Sequence, residues 1–276
     1  MEFSEITIVC SGDSKEILIA EIAELGFDSM IETEEGFQAY CTSSDYPETS
    51  LRKLQQKYQA SFPFTYTTAL IEKRNWNEEW EKNFKPVWIG SCLIRASFHE
   101  SDPEALIELI IDPKMSFGTG HHETTSLMVA MQFELDIQDK SVLDCGFGTG
   151  ILSILANKLG AAKVTGTEID TWCVENANEN AELNGISCIS FLTGTIGDMT
   201  GSELFDIILA NINKNVLLNE IPTYVKKLNT NGTLLLSGFY KSDLMEIISM
   251  CEQFALKFVS SKEKNNWVAA IFRTVN

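Results

Sequence analysis

The chain is poor in the residues that build metal and disulfide chemistry. It carries three histidines in 276 residues, and its seven cysteines form no CxxC pair. An odd, scattered set of cysteines excludes a disulfide framework, and the sparse histidines give no zinc-ligand spacing. The cysteines read instead as small buried apolar side chains. No uninterrupted apolar run approaches the roughly 20 residues that cross a bilayer. The first residues show no basic start followed by an apolar segment, so a soluble, cytoplasmic protein is expected. Basic residues are also scarce: 21 Lys and Arg stand against 39 Asp and Glu, a net charge of −18. Such a surface repels phosphate backbones, so no direct nucleic-acid binding is expected. Residues 1–50 hold twelve acidic side chains and one basic one, Lys15. That imbalance serves solubility, or it steers a lysine-rich protein partner.

What the sequence does have is periodicity. Over residues 1–73, Ile6, Ile8 and Cys10 alternate as on a strand. Ser14 is placed to cap a helix that Gly26 stops. Strands are expected at 28–33 and 37–42, a helical stripe at Leu51, Leu54 and Tyr58, and a further strand at 64–72. The order βαββαβ is ferredoxin-like. A linker over 74–90 carries Trp76, Trp80 and Phe84 at four-residue spacing, three aromatics on one side of a short helix ended by Pro86. Residues 87–95 and 105–111 read as a strand pair. From residue 123 onward strands (141–145, 163–168, 187–192, 205–211, 232–237, 256–262, 266–273) alternate with helices (123–135, 150–160, 171–183, 214–227, 242–253). That alternation indicates a doubly wound α/β sheet over 91–276. Only a turn separates the last two strands, so seven strands should end in an antiparallel edge hairpin.

The densest motif is Val142-Leu143-Asp144-Cys145-Gly146-Phe147-Gly148-Thr149-Gly150-Ile151-Leu152. A strand ends in an acid and enters a helix through a loop nearly free of side chains. There a ligand can meet backbone and a helix N-terminus. The dinucleotide fingerprint wants its third glycine where Ile151 stands; here it comes one residue early, at Gly150. Glycine-rich turns also serve as plain connections. The Gly-x-Gly-x-Gly spacing behind an acid resembles the first motif of S-adenosylmethionine-dependent methyltransferases.

Ligands of open α/β sheets lie beyond the carboxyl ends of the strands. Glu168 ends the next strand, where a carboxylate can accept from ribose hydroxyls. Asp170 is the rival, although it is placed to cap the following helix. Asn211 ends the fourth core strand, an amide beside the reacting centre or a helix cap. In Ser116-Phe117-Gly118-Thr119-Gly120-His121-His122-Glu123-Thr124-Thr125 a Gly-Thr-Gly turn enters a helix, and Thr125 can reach a polar cofactor group. His121 and His122 invite a catalytic or metal role that methyl transfer does not need.

The segments Asp112 to Thr125, Leu143 to Ile154, Ala210-Asn211-Ile212 and Asn231 to Gly238, with the tryptophan-rich linker, resemble the ribosomal protein L11 methyltransferase family. The resemblance implies S-adenosylmethionine as cofactor, with contacts on Thr125, Gly146, Gly148, Glu168 and Asn211. It also implies methylation of amino groups on a basic ribosomal protein held by the N-terminal domain. Asn211 is the residue expected to orient the amine. The chain departs from the family at His121, Glu123, Glu168 and Asn213, where threonine, proline, aspartate and leucine are usual. The amine must be neutral to attack. Deprotonating a lysine of pKa near 10.4 costs about 4–5 kcal/mol at neutral pH, an α-amine only about 1 kcal/mol. Alternatives are a methyltransferase for a small amine or another protein, a silent S-adenosylmethionine-binding module, and a dinucleotide oxidoreductase. With no sign of a large apolar interface, a monomer is expected.

Overall fold

A computed structural model of the chain describes residues 3–27, 29–71, 84–112 and 114–275. The chain divides into two units, Met1–Asn83 and Phe84–Asn276. The division at 83/84 falls within the expected linker, 74–90. Val87–Ile89, expected in the linker, pairs with Cys92–Arg95 and so belongs to the second unit. Trp76 and Trp80 lie outside the described residues. Phe84 stacks on the His99 ring, with centroids 6.2 Å apart.

In the first unit, β1 (Phe3–Val9), β2 (Ser29–Thr33), β3 (Gly36–Thr42) and β4 (Thr65–Ile71) form one sheet in the order β2-β3-β1-β4. All neighbours are antiparallel. With α1 (Gly12–Glu24) and α2 (Glu48–Tyr58) this is the expected ferredoxin-like arrangement. Burial alternates along β1: Ser4, Ile6 and Ile8 are buried, Glu5, Thr7 and Val9 are not. The buried set meets Phe37, Ala39 and Cys41 of β3, Leu18 and Ile22 of α1, and Leu51 and Leu54 of α2. Ser11, not Ser14, occupies the cap position of α1. Ser14 is buried in the first turn and donates its hydroxyl to the Ser11 carbonyl at 2.9 Å.

In the second unit, the expected strand 87–95 is broken in two. Gly90 takes φ +59°, a conformation that suits glycine, and closes a hairpin between β5 (Val87–Ile89) and β6 (Cys92–Arg95). β7 (Ile107–Ile110) then pairs in parallel with β6. The main sheet has seven strands: β8 (Ser141–Cys145), β9 (Lys163–Glu168), β10 (Ser190–Thr193), β11 (Phe205–Asn211), β12 (Leu228–Tyr240), β13 (Leu256–Lys264) and β14 (Trp267–Thr274). Their order is β10-β9-β8-β11-β12-β14-β13. The first five run parallel and β14 is antiparallel to both its neighbours, which is the expected edge hairpin. β12 outruns the expected 232–237 because its ladder with β14 continues to Tyr240 opposite Trp267.

Period-two burial gives this sheet two cores. Val142, Ile207, Leu209, Leu235 and Ile271 face α3 (Glu123–Gln132), α4 (Ile151–Lys158) and the small sheet. Leu143, Ile208, Ala210, Leu234, Leu236 and Phe272 face α6 (Lys214–Lys227) and α7 (Leu244–Gln253). The remaining helix, α5 (Thr171–Leu183), follows β9. Among the described residues no helix is long and apolar enough to cross a membrane.

Candidate active site

The strand order reverses between β8 and β11, and a cavity of about 530 Å³ opens at their carboxyl ends. It is lined by Gly146 and Gly148 after β8, Glu168 at the end of β9, Asn211 at the end of β11, Gly238 in β12 and Trp267 in β14. Ser116 and Phe117 add a wall from the segment before α3.

The glycine loop is shaped by that wall. Gly148 has φ +55°, and a Cβ there would lie 2.2 Å from the Phe117 carbonyl oxygen. Only glycine lets the two backbones meet this closely. The next residue holds them together: the Thr149 amide donates to Phe117 O at 2.9 Å and its hydroxyl to Gly118 O at 2.6 Å. Gly150 is the cap position of α4, which starts at Ile151.

Glu168 accepts from the Gly148 amide at 3.2 Å and from the Ile169 amide at 2.8 Å. Loop and strand end are thereby tied through one carboxylate. Asp170 does sit at the cap position of α5, but its side chain makes no capping bond, and it lines the cavity with Glu168. Asn211 is not a helix cap either. That task falls to Asn213, whose Oδ1 accepts from the Asn215 amide at 3.0 Å. Asn211 is left to the cavity. Its Nδ2 donates to the Thr125 hydroxyl at 3.3 Å, and its Oδ1 is buried without a partner.

Thr125 itself does not line the cavity. It is fully buried behind Asn211, while Thr124 reaches the lining. Neighbouring helix residues point about 100° apart, so a one-residue offset decides which of the pair touches a ligand. His121 is held by Thr119 Oγ1 at 3.1 Å and the Lys85 carbonyl at 2.9 Å, and is absent from the lining. His122 caps α3, accepting from the Thr124 amide at 3.2 Å, and does line the cavity. Ser116, Phe117, Trp172, Gly238 and Trp267 also line the cavity without being expected contacts, although Gly238 follows the expected strand 232–237 and Ser116 and Phe117 open the Gly-Thr-Gly segment. The buried Ser116 hydroxyl, like Asn211 Oδ1, has no hydrogen-bond partner. The Asp144 carboxyl below the loop is pushed up to about 7 by burial, against the pull of the Ser153 hydroxyl and with a further push from the Glu168 charge.

The family model "Ribosomal protein L11 methyltransferase (PrmA)" matches residues 4–274. The chain belongs to that family. A Bacteroides fragilis ribosomal protein L11 methyltransferase is 42% identical over 278 residues, covering 98% of both chains. One from Porphyromonas gingivalis is 44% identical over 271 residues, 97% of this chain and 92% of that one. Among solved structures, a ribosomal protein L11 methylase from Lactobacillus delbrueckii subsp. bulgaricus superposes with TM-score 0.65 at 28% identity, over 70% of this chain and 100% of that one. A structure solved as a complex with SAH shares the fold at TM-score 0.51 and 13% identity, over 56% of this chain and 50% of that one.

The protein is therefore a methyltransferase, and S-adenosylmethionine is the methyl donor expected for it. The residues present fit that molecule. Beyond its three backbone bonds, from Gly148, Ile169 and Asp170, Glu168 retains acceptor capacity for a ribose hydroxyl. The unpartnered Ser116 hydroxyl and Asn211 Oδ1 are polar groups that a polar ligand would satisfy.

Proposed function

We propose that the protein methylates amino groups of ribosomal protein L11, on lysine side chains, the N-terminal α-amine, or both. The family membership and the arrangement around Asn211 support this reading. When bound, S-adenosylmethionine supplies a methyl group on a sulfonium, released with its bonding pair left on sulfur. Gly146 and Gly148 would take the nucleoside against backbone, and Glu168 would hold its ribose. Thr125 acts through Asn211 by fixing the amide. Asn211 Oδ1 then accepts an N–H of the incoming amine and turns the nitrogen lone pair toward the methyl. No side chain is needed as a strong base if the amine arrives neutral, and partial desolvation helps a lysine lose its proton. Most of the rate would come from positioning.

The first unit is the recognition module in this reading. Its twelve acidic residues against one basic residue over positions 1–50 suit a basic ribosomal protein. The enzyme works as a monomer in the cytoplasm and does not bind nucleic acid directly.

The observation that carries the proposal is the Asn211 acceptor, buried and unbonded at the end of β11 in a cavity whose other side is the Glu168 carboxylate. The test supplies labelled methyl donor with purified L11, with the other ribosomal proteins, and with a panel of amine metabolites. Label on L11, mapped to amines by mass spectrometry, is expected. Label confined to a metabolite or to another protein overturns the reading.

A further inference from the structure

Beyond Asn211 the cavity changes character. Phe117, His122 and Trp267 all line it. Their rings form a continuous chain: Phe117 to His122 at 5.3 Å, His122 to Trp267 at 5.0 Å, and Trp267 to Tyr240 at 4.0 Å. Trp267 and Tyr240 are partners on the β14–β12 ladder, so the sheet itself sets that pair. His122 Nδ1 accepts from the Thr124 amide at 3.2 Å, which fixes the ring in this array. The lining residues that carry formal charge are Glu168 and Asp170, both carboxylates; the lining contains no lysine or arginine.

Strand order separates this aromatic end from the nucleoside end. Glu168, Gly146, Asn211, Gly238 and Trp267 follow one another on or after β9, β8, β11, β12 and β14. At 4.7–4.9 Å between neighbouring strands, the strand of Trp267 lies roughly 10 Å from that of Asn211 on one side, and the strand of Glu168 roughly 10 Å from it on the other.

We propose that Phe117, His122, Trp267 and Tyr240 form a subsite for the methylated ammonium group that the reaction leaves on its acceptor. The proposal rests on the amine-methylating reading above and adds where the product cation goes. After a transfer the nitrogen is positively charged and carries one more methyl. Aromatic faces attract such a cation, Trp most strongly, and no cationic side chain in the lining opposes it. A neutral amine gains nothing comparable from those faces. The subsite therefore keeps a partly methylated side chain in the cavity, one step removed from Asn211, while its ammonium sheds a proton to water, and so favours its return for a further transfer over release. Phe117 and Tyr240 are 55% and 49% exposed, so an incoming side chain can reach the array.

The test is calorimetry on the full-length protein saturated with S-adenosylhomocysteine. The probes are N-acetyl-trimethyllysine methylamide and its neutral isostere with carbon in place of the quaternary nitrogen. The wild type is expected to bind the cation about tenfold or more tightly than the isostere. Trp267→Leu should lose most of that preference, and Trp267→Phe should keep part of it. With L11 as acceptor, mass spectrometry should show Trp267→Leu products shifted toward fewer methyls per amine. Equal affinity of the wild type for the two probes overturns the subsite whatever the variants do. So does a Trp267→Leu protein that loses affinity for S-adenosylmethionine but not for S-adenosylhomocysteine, since the rings would then serve the sulfonium. Failure of the functional reading is seen separately, as wild-type enzyme that leaves L11 unlabelled.

Discussion

Asn211 and Thr125 are 86 residues apart in sequence and joined by one hydrogen bond, Nδ2 to Oγ1 at 3.3 Å. The bond uses one N–H of the amide and leaves Oδ1, buried and unbonded, as the acceptor in the cavity. An acceptor at that point can orient an amine, and orientation is where most of the acceleration should lie. Asn211→Ala should lower kcat by about a hundredfold. Thr125→Val keeps the amide but frees it to rotate, and should cost about tenfold, the worth of one ordinary hydrogen bond. Steady-state rates with saturating donor measure both. Full turnover by Asn211→Ala would remove the residue from the mechanism.

Glu168 links three things at once: the end of β9, the Gly148 amide and the expected ribose position. Hydrogen bonds to a charged acceptor are worth about 1.5–3 kcal/mol each. Glu168→Ala should therefore weaken S-adenosylhomocysteine binding at least tenfold, read by isothermal calorimetry. Glu168→Gln, which keeps the shape, should fall between wild type and alanine. An unchanged dissociation constant in the alanine variant would place the ribose elsewhere.

The contrast between these residues and Trp267 explains how much of the site a sequence reader can find. Gly146, Gly148, Glu168 and Asn211 each follow or end a parallel strand, and Val142-Leu143 and Ile207-Ile208-Leu209-Ala210 are the buried apolar runs that mark two of those strands. The helices 171–183 and 214–227 and the strands 141–145, 163–168 and 205–211 match the structure residue for residue. Trp267 is different. It begins an antiparallel strand, and its place in the cavity depends on the β12–β14 register, which no local pattern encodes. Gly90 and Ser14 show a second limit. One apolar stretch is cut by a turn that only tertiary pairing reveals, and a cap moves by one turn to Ser11. Thr125 shows a third: the motif does reach the site, but its neighbour Thr124 takes the lining position.

Three asparagines on one face of α5 and its end support the wall that shapes the glycine loop. Asn176, Asn180 and Asn184 recur every four residues. Asn184 exchanges two bonds with the backbone of Ile110, Asn180 Oδ1 accepts from the Asp112 amide, and Asn176 donates to the Asp112 carbonyl. Asn180 also donates to the Thr149 carbonyl at 2.9 Å. Replacing it leaves a buried amide and a buried carbonyl unpaired, at about 1–3 kcal/mol each. Asn180→Ala should destabilise the protein by about 2–4 kcal/mol and weaken S-adenosylhomocysteine binding, because Thr149 loses an anchor. Urea titration with and without the ligand measures both effects. A variant as stable as wild type would show that these bonds add nothing to the fold.

Asp144 lies wholly buried at the end of β8, accepting from Ser153 Oγ at 2.6 Å with its other oxygen unpaired. Burial pushes its pKa up to about 7 from the ordinary carboxylate value near 3.9. An acid raised in this way keeps its proton in the native state at pH values where the unfolded chain has lost it. Its contribution to stability is therefore full below about pH 4 and declines as pH climbs to about 7. Above that value it changes no further. Asp144→Asn has no proton to lose and can still accept from Ser153. Its stability relative to wild type should accordingly improve between pH 5 and pH 8, by about 1–3 kcal/mol, because each pH unit crossed in that window costs the wild type up to about 1.36 kcal/mol. Urea midpoints of the two proteins at the two pH values decide the matter. A gap that stays constant would mean that Asp144 titrates no differently in the fold than in the open chain.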